Sequence, residues 1–339
     1  MNAKWVLFAM VFIGLSAGVP YVIYTELDIQ TAIFDARLFN ATTVTTSLVL
    51  LFIYFISDGL RLYYVLRALG HTIPGNSLPT LVFMNILVSN ITPMATGGGV
   101  AQILYLRRHK IHLGAATAAT TIRTLLAMVF IFLPVPFLMV LFVPITQSAL
   151  GGQPAIYLGS FAIFYLLIFA VVVIKTRWVL WLIDQIFLRL RRYNLITTKR
   201  LRRWRFKLRR EAMRFSRALK VFLRAPKHDV LLSALFTILF LLTLFSFPAV
   251  LLHGLGYSVD YFQVLGLLVV TTFIMYFSPT PGASGIAEGV FGLFFVNLVT
   301  HADLVLTIIA WRFLTIHLGM LIGLPVTLVA MMGRKSGNV

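Results

Sequence analysis

Long apolar segments, separated by short charged or polar stretches, run through the whole chain. Six of these segments are about as long as the ~20 residues that a helix needs to cross the hydrocarbon core of a bilayer. They cover residues 5–24, 42–66, 114–133, 155–174, 229–251 and 304–332. The pattern predicts an all-α polytopic membrane protein, with about six full transmembrane helices in a single transmembrane domain that spans residues 1–339.

Two further apolar regions are each broken in the middle by proline, glycine and hydroxyl residues. The first has arms at 78–91 and 99–106, and the second has arms at 260–277 and 285–299. The arms of the first region are too short to cross a bilayer alone, and basic residues lie near both of its ends. We therefore expect two re-entrant helical hairpins, each of which enters the membrane and returns to the same face.

The two breaks are copies of one motif. Residues 92–102 (Thr-Pro-Met-Ala-Thr-Gly-Gly-Gly-Val-Ala-Gln) align without gaps on residues 278–288 (Ser-Pro-Thr-Pro-Gly-Ala-Ser-Gly-Ile-Ala-Glu), at an offset of 186. The same offset places Leu66, Leu69 and Gly70 on Leu252, Leu255 and Gly256. The match predicts an internal repeat, with repeat 1 at about 42–133 and repeat 2 at about 229–332. Broken segments in corresponding positions of two halves point to the binding site of a transporter.

The distribution of charge predicts how the chain crosses the membrane. Lys4 precedes the first span and Glu26 and Asp28 follow it, whereas Arg334 and Lys335 follow the last span. Because basic loops stay in the cytoplasm, both termini are expected on the cytoplasmic side of the cell membrane. The first apolar run is read as an uncleaved helix rather than a signal peptide.

The number of crossings between the two hairpins decides their relative orientation. Three crossings, at 114–133, 155–174 and 229–251, separate them. An odd number makes the repeats inverted, so that the hairpins enter from opposite faces and their tips meet near the midplane. The uncharged stretch 134–154 is read as an outer connection, and a further crossing within it would remove the inversion.

Net charge is +19, and much of it lies in one segment between spans. Fifteen Lys and Arg residues stand against the single acid Glu211 between Arg189 and Arg224, interleaved with aromatic and aliphatic residues. This pattern predicts a basic cytoplasmic or interfacial helical segment at 175–228. We expect residues 189–224 to contact anionic lipids of the inner leaflet, with plain topological retention as the alternative and no nucleic acid as partner.

Each repeat places one arginine deep in a span. Arg123 lies about ten residues into the span after the first break, and Arg312 about nine residues into the last span. An arginine in hydrocarbon is costly and faces the protein interior or a polar cavity. Both guanidiniums converge on an anion such as a lipid phosphate, or each pairs with a carboxylate, Glu288 for Arg312 and Asp58 for either. The sequence leaves both alternatives open.

The glycine-rich tips offer a second way to hold an anion, because each opens a helix whose first N–H groups attract negative charge. Gln102 and Glu288 take equivalent positions one turn into these helices, and Glu288 either titrates or serves as a fixed counter-ion. Asp58 and Arg61 are expected as an ion pair near the cytoplasmic interface, with a gating role as the alternative. The candidate substrate-binding residues are Thr92, Pro93, Gly97, Gly98, Gly99, Gln102 and Arg123 in repeat 1, and Ser278, Pro279, Thr280, Pro281, Gly282, Ser284, Gly285, Glu288 and Arg312 in repeat 2.

The residue types disfavour catalysis and metal binding. The chain has no cysteine, its seven histidines form no helical metal pair, and it carries no Gly-x-Ser-x-Gly or Walker motif. We therefore expect no cofactor, no metal and no enzyme activity.

The motif at 278–288, with its partner at 92–102, resembles the lysylphosphatidylglycerol synthase transmembrane (flippase-like) family, which includes the membrane half of the multiple peptide resistance factor. The resemblance covers roughly residues 5–332. It implies a bundle with re-entrant helices that moves a lipid between leaflets. Larger relatives append a soluble transferase domain that is absent here, so the resemblance implies no synthase activity. Ala283 stands where the family often has a second glycine.

Three functions follow as hypotheses. The first is a flippase that translocates an anionic phospholipid or a polyprenyl-phosphate-linked lipid by alternating access at a midplane site. The second is a membrane partner that presents lipid to a separate transferase. The third is an intramembrane lipid-modifying enzyme, which would need Glu288 as its acid or base.

Overall fold

The computed structural model describes residues 35–141 and 217–332, together with single helical positions at 160, 161, 163, 164, 167, 185, 206, 210 and 213. The predicted span at 5–24, almost all of the span at 155–174 and most of the basic segment at 175–228 lie outside the described residues. Every regular element within the described ranges is helical. The helices are α1 (Ala41–Ala68), α2 (Leu78–Asn90), α3 (Thr96–Arg108), α4 (Leu113–Phe132), α5 (Val135–Leu141), α6 (Lys227–Gly254), α7 (Tyr261–Met275), α8 (Ile286–Phe295), α9 (His301–Arg312) and α10 (Leu318–Met332).

Four of the described helical stretches are long and apolar enough to cross a membrane. They are Ala41–Ala68, Leu113–Met139, Lys227–Gly254 and His301–Ala330. They coincide with four of the apolar runs from which the spans were predicted. The described residues thus confirm a helical architecture with several helices that suit a polytopic membrane protein.

The outer connection predicted at 134–154 is wrong over its first part. After Phe132 a two-residue turn at Leu133 and Pro134 leads directly into α5, whose first turn contains Pro136. Proline is tolerated there because the first turn of a helix has N–H groups without helical partners. The Leu138 N–H donates to the Pro134 carbonyl at 2.9 Å and continues the helical ladder.

The helices α1 and α6 are structural equivalents in the two repeats. Both have 28 residues, and both begin and end at positions that differ by the offset of the sequence repeat. Each is followed by a glycine with positive φ, +79° at Gly70 and +93° at Gly256. In both, the next N–H bonds back to the carbonyl five residues earlier, at 2.9 and 3.0 Å. This is the Schellman ending, which favours glycine because other residues are strained at positive φ.

The two equivalent helices pack against each other and run antiparallel. The Arg67 Nε at the end of α1 lies 3.1 Å from Asp229 Oδ1 at the start of α6. At the other end, a Cβ on Gly254 would lie 2.5 Å from Thr43 Oγ1. Between these contacts the rings of Tyr54 and Phe240, which are equivalent by the same offset, stack with centroids 4.9 Å apart. Two residues that the sequence repeat makes equivalent thus meet where the two helices cross.

Charged residues divide the described part of the molecule into two ends. One end, called the basic end, holds Arg67, Arg107, Arg108, Lys110 and Lys227. Contacts such as His71 with His112 (centroids 5.0 Å apart) and Ser77 with His109 (2.9 Å) join helix termini there. The opposite, acidic end holds Asp35, Asp260 and Asp303, and Arg37 pairs with Asp35 and Asp303.

Two helical hairpins lie inside the frame of long helices. Hairpin 1 comprises α2 and α3, and hairpin 2 comprises α7 and α8. Hairpin 1 packs against α10 of the other repeat, where Gly319 and Gly323 approach Ile86 and Phe83 of α2. Hairpin 2 packs reciprocally on α4, where the Phe132 and Phe273 rings lie 4.9 Å apart. Each hairpin is therefore held by a helix of the opposite repeat.

Candidate functional site

The tips of the two hairpins touch each other. The backbones of Pro93 and Pro281 form an isolated antiparallel bridge. Both tips turn through left-handed backbone, with φ of +54° at Met94, +52° at Ala95 and +55° at Ala283. Pro281 is buried and Pro279 is exposed. The structure thus brings the two copies of the motif into direct contact.

Hydroxyl groups at the tips stabilise the tip backbones. The Thr92 hydroxyl donates to the Val88 carbonyl at 2.8 Å and accepts from the Gly97 N–H at 2.9 Å. In hairpin 2 the Thr280 hydroxyl donates to the Ser284 carbonyl at 2.8 Å and contacts the Ser278 hydroxyl at 2.7 Å. These five predicted site residues lie at the tips, where their described bonds stabilise the turns.

Arg312 lies directly behind the tip of hairpin 2. Its Nε is 2.7 Å from Glu288 Oε1, and its Nη2 donates to the Gly282 carbonyl at 2.8 Å and to the Ser284 hydroxyl at 3.3 Å. The other Glu288 oxygen accepts from the Gly285 N–H at 2.7 Å. Arg312 and Glu288 are both buried. The Glu288 carboxylate therefore occupies the start of α8, where the sequence predicted an anion.

Arg123 holds the equivalent position behind hairpin 1. Its Nη2 donates to Asp58 Oδ1 at 2.6 Å and its Nη1 donates to Gln102 Oε1 at 2.8 Å. The Gln102 amide in turn donates to the Leu81 carbonyl at 3.1 Å, which fixes its orientation. Arg61 pairs with the same Asp58 oxygen, and its guanidinium lies 3.6 Å from the centre of the Phe240 ring.

Asp58 and Arg61 form the predicted pair, but the pair is buried and not an ordinary surface pair. Asp58 is 2% exposed and Arg61 is 5% exposed. Both lie well inside α1, at its crossing with α6, so that Phe240 covers the Arg61 guanidinium. Asp58 is in fact the shared counter-ion of two arginines.

The two buried clusters differ in net charge. The Arg123 cluster contains one carboxylate, Asp58, against two guanidiniums, because the residue equivalent to Glu288 is the neutral Gln102. The Arg312 cluster contains one of each. Each arginine is thus paired within its own repeat, and the described contacts show no group that both share. The site as a whole keeps one positive charge in excess.

Two buried arginine N–H donors of these clusters have no hydrogen-bond acceptor in the described residues. The buried Nε of Arg123 and Nη1 of Arg312 make no hydrogen bond in the described part of the chain. A buried guanidinium N–H without an acceptor is costly. These donors provide the chemistry that an additional anionic group needs.

Close packing explains part of the glycine motif. A Cβ on Gly98 would clash with Ser89 Oγ and lie 2.9 Å from the Asn85 carbonyl, and one on Gly97 would lie 2.5 Å from Thr92 Cγ2. Gly99 has nothing within 4 Å of such a Cβ. Gly97 and Gly98 therefore let α3 approach α2, whereas packing leaves Gly99 unexplained.

The sequence matches the family model of the lysylphosphatidylglycerol synthase TM region over residues 6–323. The chain belongs to this family. A relative is the UPF0104 membrane protein of Archaeoglobus fulgidus, which is 21% identical over 316 residues, or 93% of this chain and 94% of the relative. The resemblance inferred from the two broken motifs is confirmed, and the family and the apolar helices together make this a multi-pass membrane protein.

In this family member, sequence reasoning missed a network at the acidic end. Arg37 donates to Asp303 Oδ1 at 2.7 Å and to the Leu255 carbonyl at 2.8 Å, and the Tyr257 hydroxyl donates to Asp303 Oδ2 at 2.7 Å. Hydrogen bonds from Arg37 lower the pKa of the Asp35 carboxyl. The offset of the sequence repeat could have shown that Tyr54 and Phe240 are equivalent positions. No pattern in the sequence indicates that Arg37 contacts Asp303.

No group of three or more His, Cys, Asp and Glu side chains that could hold a metal occurs within residues 35–141 and 217–332 or the single positions between them. The ionisable groups of the site are arginines paired with carboxylates, and the guanidinium group is the one that suits a phosphate or another anion.

Proposed function

We propose that this protein is a flippase that translocates an anionic phospholipid or a polyprenyl-phosphate-linked lipid across the cell membrane. The observation that carries the proposal is the contact of the two hairpin tips, Pro93 with Pro281, directly beside buried arginine–carboxylate clusters. Hairpin tips that meet beside buried ionic groups suit a midplane substrate site.

The proposed topology is an inverted repeat with two re-entrant hairpins. It is supported by the antiparallel packing of the equivalent helices α1 and α6, and by the Ser77–His109 hydrogen bond that joins the beginning and end of hairpin 1. We place the basic end in the cytoplasm, because Lys and Arg are enriched in cytoplasmic loops. Both termini then lie on that side.

The energetic cost of the buried charges supports function rather than stability. Burying an ion costs several kcal/mol even when it is paired, and apolar replacement of a buried pair is often neutral or stabilising. If only folding stability mattered, apolar residues at positions 58, 123, 288 and 312 would make the protein at least as stable. Retaining one excess positive charge suits a site for a singly charged phosphodiester.

The contacts suggest how such a substrate would be exchanged. The Glu288 carboxylate accepts a hydrogen bond from the Gly285 N–H at the start of α8 and pairs with the Arg312 guanidinium. A substrate phosphate would therefore compete with this carboxylate for both groups. Asp58 plays the same part for Arg123. We propose that the phosphate replaces these internal contacts in turn while the hairpins open towards opposite faces.

A vesicle assay tests the proposal. Purified protein is reconstituted with fluorescent phosphatidylglycerol, and the labelled lipid that reaches the outer leaflet is quenched by an added reductant. We expect wild-type protein to accelerate translocation over protein-free vesicles. Arg312→Lys should slow it at least about tenfold, because lysine keeps the charge but lacks the planar fork of donors. Arg217→Lys, the same change at an exposed arginine, is the matched control.

Two outcomes would reject transport. If no tested lipid moves faster than in protein-free vesicles, and translocation appears only with an added transferase, the protein is a partner that presents lipid. If the purified protein consumes the lipid phosphate, it is an intramembrane enzyme. Equal rates for Arg312→Lys and wild type would remove Arg312 from the substrate site.

A further inference from the structure

A large groove opens at the basic end, away from the paired clusters of the hairpin tips. Its volume is about 980 Å³. One wall comes from hairpin 1 and the other from the last turns of α10. It is lined by Thr80, Leu104, Tyr105, Arg107, Arg108, Pro325, Val326, Val329 and Ala330.

The sequence of α10 explains why the groove exists. At Gly323, α10 is in close contact with α2, since a Cβ on Gly323 would lie 2.6 Å from the Phe83 carbonyl. Two residues later Pro325 interrupts the helical hydrogen bonds of α10. Beyond this point the side chains of α10 line the groove. Glycines of α10 therefore allow close packing against α2 as far as Gly323, and the groove begins near Pro325.

The groove combines two chemistries. Arg107 and Arg108 are exposed, and Arg108 also donates to the Ala330 carbonyl across the opening. The facing walls are apolar, with Leu104 56% exposed and Val329 66% exposed. Free inorganic phosphate would use the guanidiniums alone, whereas a lipid would use the guanidiniums and the apolar walls together.

The height of the groove also favours a lipid. Ala330 ends the apolar stretch His301–Ala330, which is long enough to cross a membrane. Arginine side chains at the end of such a stretch can reach the headgroup region. From there Leu104 and Val100 present exposed side chains one helical turn apart along α3, in the direction of the exposed Met94 at the tip. An acyl chain can follow this apolar face while the phosphate stays at the basic end.

We infer that this groove binds an anionic glycerophospholipid, with its phosphate on Arg107 and Arg108 and an acyl chain against Leu104, Val326 and Val329. The inference deepens the proposed function, on which it rests for its role as the lateral loading site from the inner leaflet. The binding itself does not require translocation.

Lipid retention measures the binding directly. Full-length protein is purified in mixed micelles that contain equal amounts of phosphatidylglycerol and phosphatidylcholine, and native mass spectrometry counts the retained lipids. We expect wild type to prefer phosphatidylglycerol. Arg107→Gln with Arg108→Gln should lower this preference about tenfold or more, since each basic residue near an anionic surface contributes about 1 kcal/mol. Lys110→Gln with Lys227→Gln removes the same charge outside the groove and should leave the preference within about twofold.

Further arms identify the ligand and its place. The natural chain has no cysteine, so Val329→Cys carries a unique photoreactive label that should cross-link to phosphatidylglycerol in wild-type background and not in the double arginine variant. Equal retention of the two lipids, equal loss in both double variants, or displacement of phosphatidylglycerol by millimolar inorganic phosphate would each overturn the inference. If the protein retains phosphatidylglycerol but does not translocate it in vesicles, the proposed flippase function is rejected and the inferred lipid binding in the groove still stands.

Discussion

At the scale of single residues, the pair of Arg312 and Glu288 shows how a buried charge is tolerated. The guanidinium has Glu288, the Gly282 carbonyl and the Ser284 hydroxyl as partners, and Glu288 also caps α8. Such a pair stabilises the fold little when intact and strongly destabilises it when only one member is removed. The tip of hairpin 2 therefore depends on both.

Removing only one member of this pair should be the most damaging change. We expect Arg312→Gln to lower the free energy of unfolding by about 3–5 kcal/mol, because Glu288 stays buried without its counter-ion. The double change Glu288→Gln with Arg312→Gln should cost less than Arg312→Gln alone. Thermal unfolding in detergent, followed by circular dichroism, measures both. A double variant that is as unstable as the sum of the single variants would show that the two side chains do not interact.

A histidine pair makes stability depend on pH at the basic end. His71 lies after α1, and its ring meets that of His112 with centroids 5.0 Å apart. Partial burial, and then repulsion from His112, lower the pKa of His71 below its ordinary value. The folded protein therefore takes up the proton less readily than the unfolded chain. Stability is full above about pH 6.5, the ordinary histidine pKa, and falls as pH drops below it.

The change His71→Gln should remove this contribution. We expect the melting temperature of the variant, relative to wild type, to rise as pH is lowered from about 7.5 to about 5.5. His301→Gln, at an exposed histidine near the acidic end, is the control for loss of an imidazole. A constant difference between His71→Gln and wild type across this range would contradict the assignment.

At the scale of elements, hairpin 1 depends on the close approach of α3 to α2. Adjacent glycines allow a matched test, because Gly98 faces Asn85 and Ser89 while Gly99 faces open space. Gly98→Ala should lower the free energy of unfolding by about 1–3 kcal/mol through overpacking. Gly99→Ala should be neutral or stabilise by up to about 1 kcal/mol, since alanine favours a helix over glycine.

Both glycine variants are read by the same detergent melt. If Gly98→Ala is as stable as Gly99→Ala, α2 and α3 are not packed as described. Reduced lipid translocation in Gly99→Ala at unchanged stability would point to a substrate contact at that glycine.

A local distortion follows Arg312 and distinguishes the last helix from α4. The π turn Phe313–His317 joins α9 to α10, and the His317 ring lies 3.1 Å from the Arg312 carbonyl. Such turns insert one extra residue into a helix and are frequent at functional sites. The His317 side chain thus contacts the carbonyl of the buried Arg312, at the residue that precedes the π turn.

At the scale of the whole molecule, the antiparallel pair α1 and α6 forms the centre around which the repeats are arranged. Its two ends are closed by different chemistry, with Arg67 and Asp229 at the basic end and a tight contact of Thr43 with Gly254 at the acidic end. The proposed alternating access would require at least one of these two contacts to open.

A disulfide can lock the acidic end. A Cβ on Gly254 lies 3.2 Å from Thr43 Cβ, within a few tenths of an ångström of the separation in a disulfide, and the chain has no other cysteine to interfere. We expect Thr43→Cys with Gly254→Cys to cross-link and to reduce translocation to the rate of protein-free vesicles. A reductant should restore it. Each single cysteine variant is the control, and unchanged translocation by cross-linked protein would show that this contact stays closed.

Comparison with the sequence separates local from distant information. The described spans and the helical arms of the hairpins followed from apolar run length and residue type. The cost of burying a charge gave the pairing of Arg312 with Glu288 as one of two alternatives, and the structure shows this pair. The burial of Asp58 and Arg61 did not follow from the sequence, because a pair three residues apart looks the same on an exposed helix face. Contacts with residues far along the chain distinguish the two situations, because Phe240 covers Arg61 and Arg123 pairs with Asp58.

By itself the sequence determined that this is a helical membrane protein built from a repeat, since hydrophobic length, charge and turn residues act through neighbours along the chain. Only the tertiary structure decided which charges meet. Asp58 serves two arginines, Arg37 reaches Asp303, and α10 leaves a groove beside Arg107. These contacts depend on where separate helices cross, and that is set by side-chain packing between residues far apart in the chain.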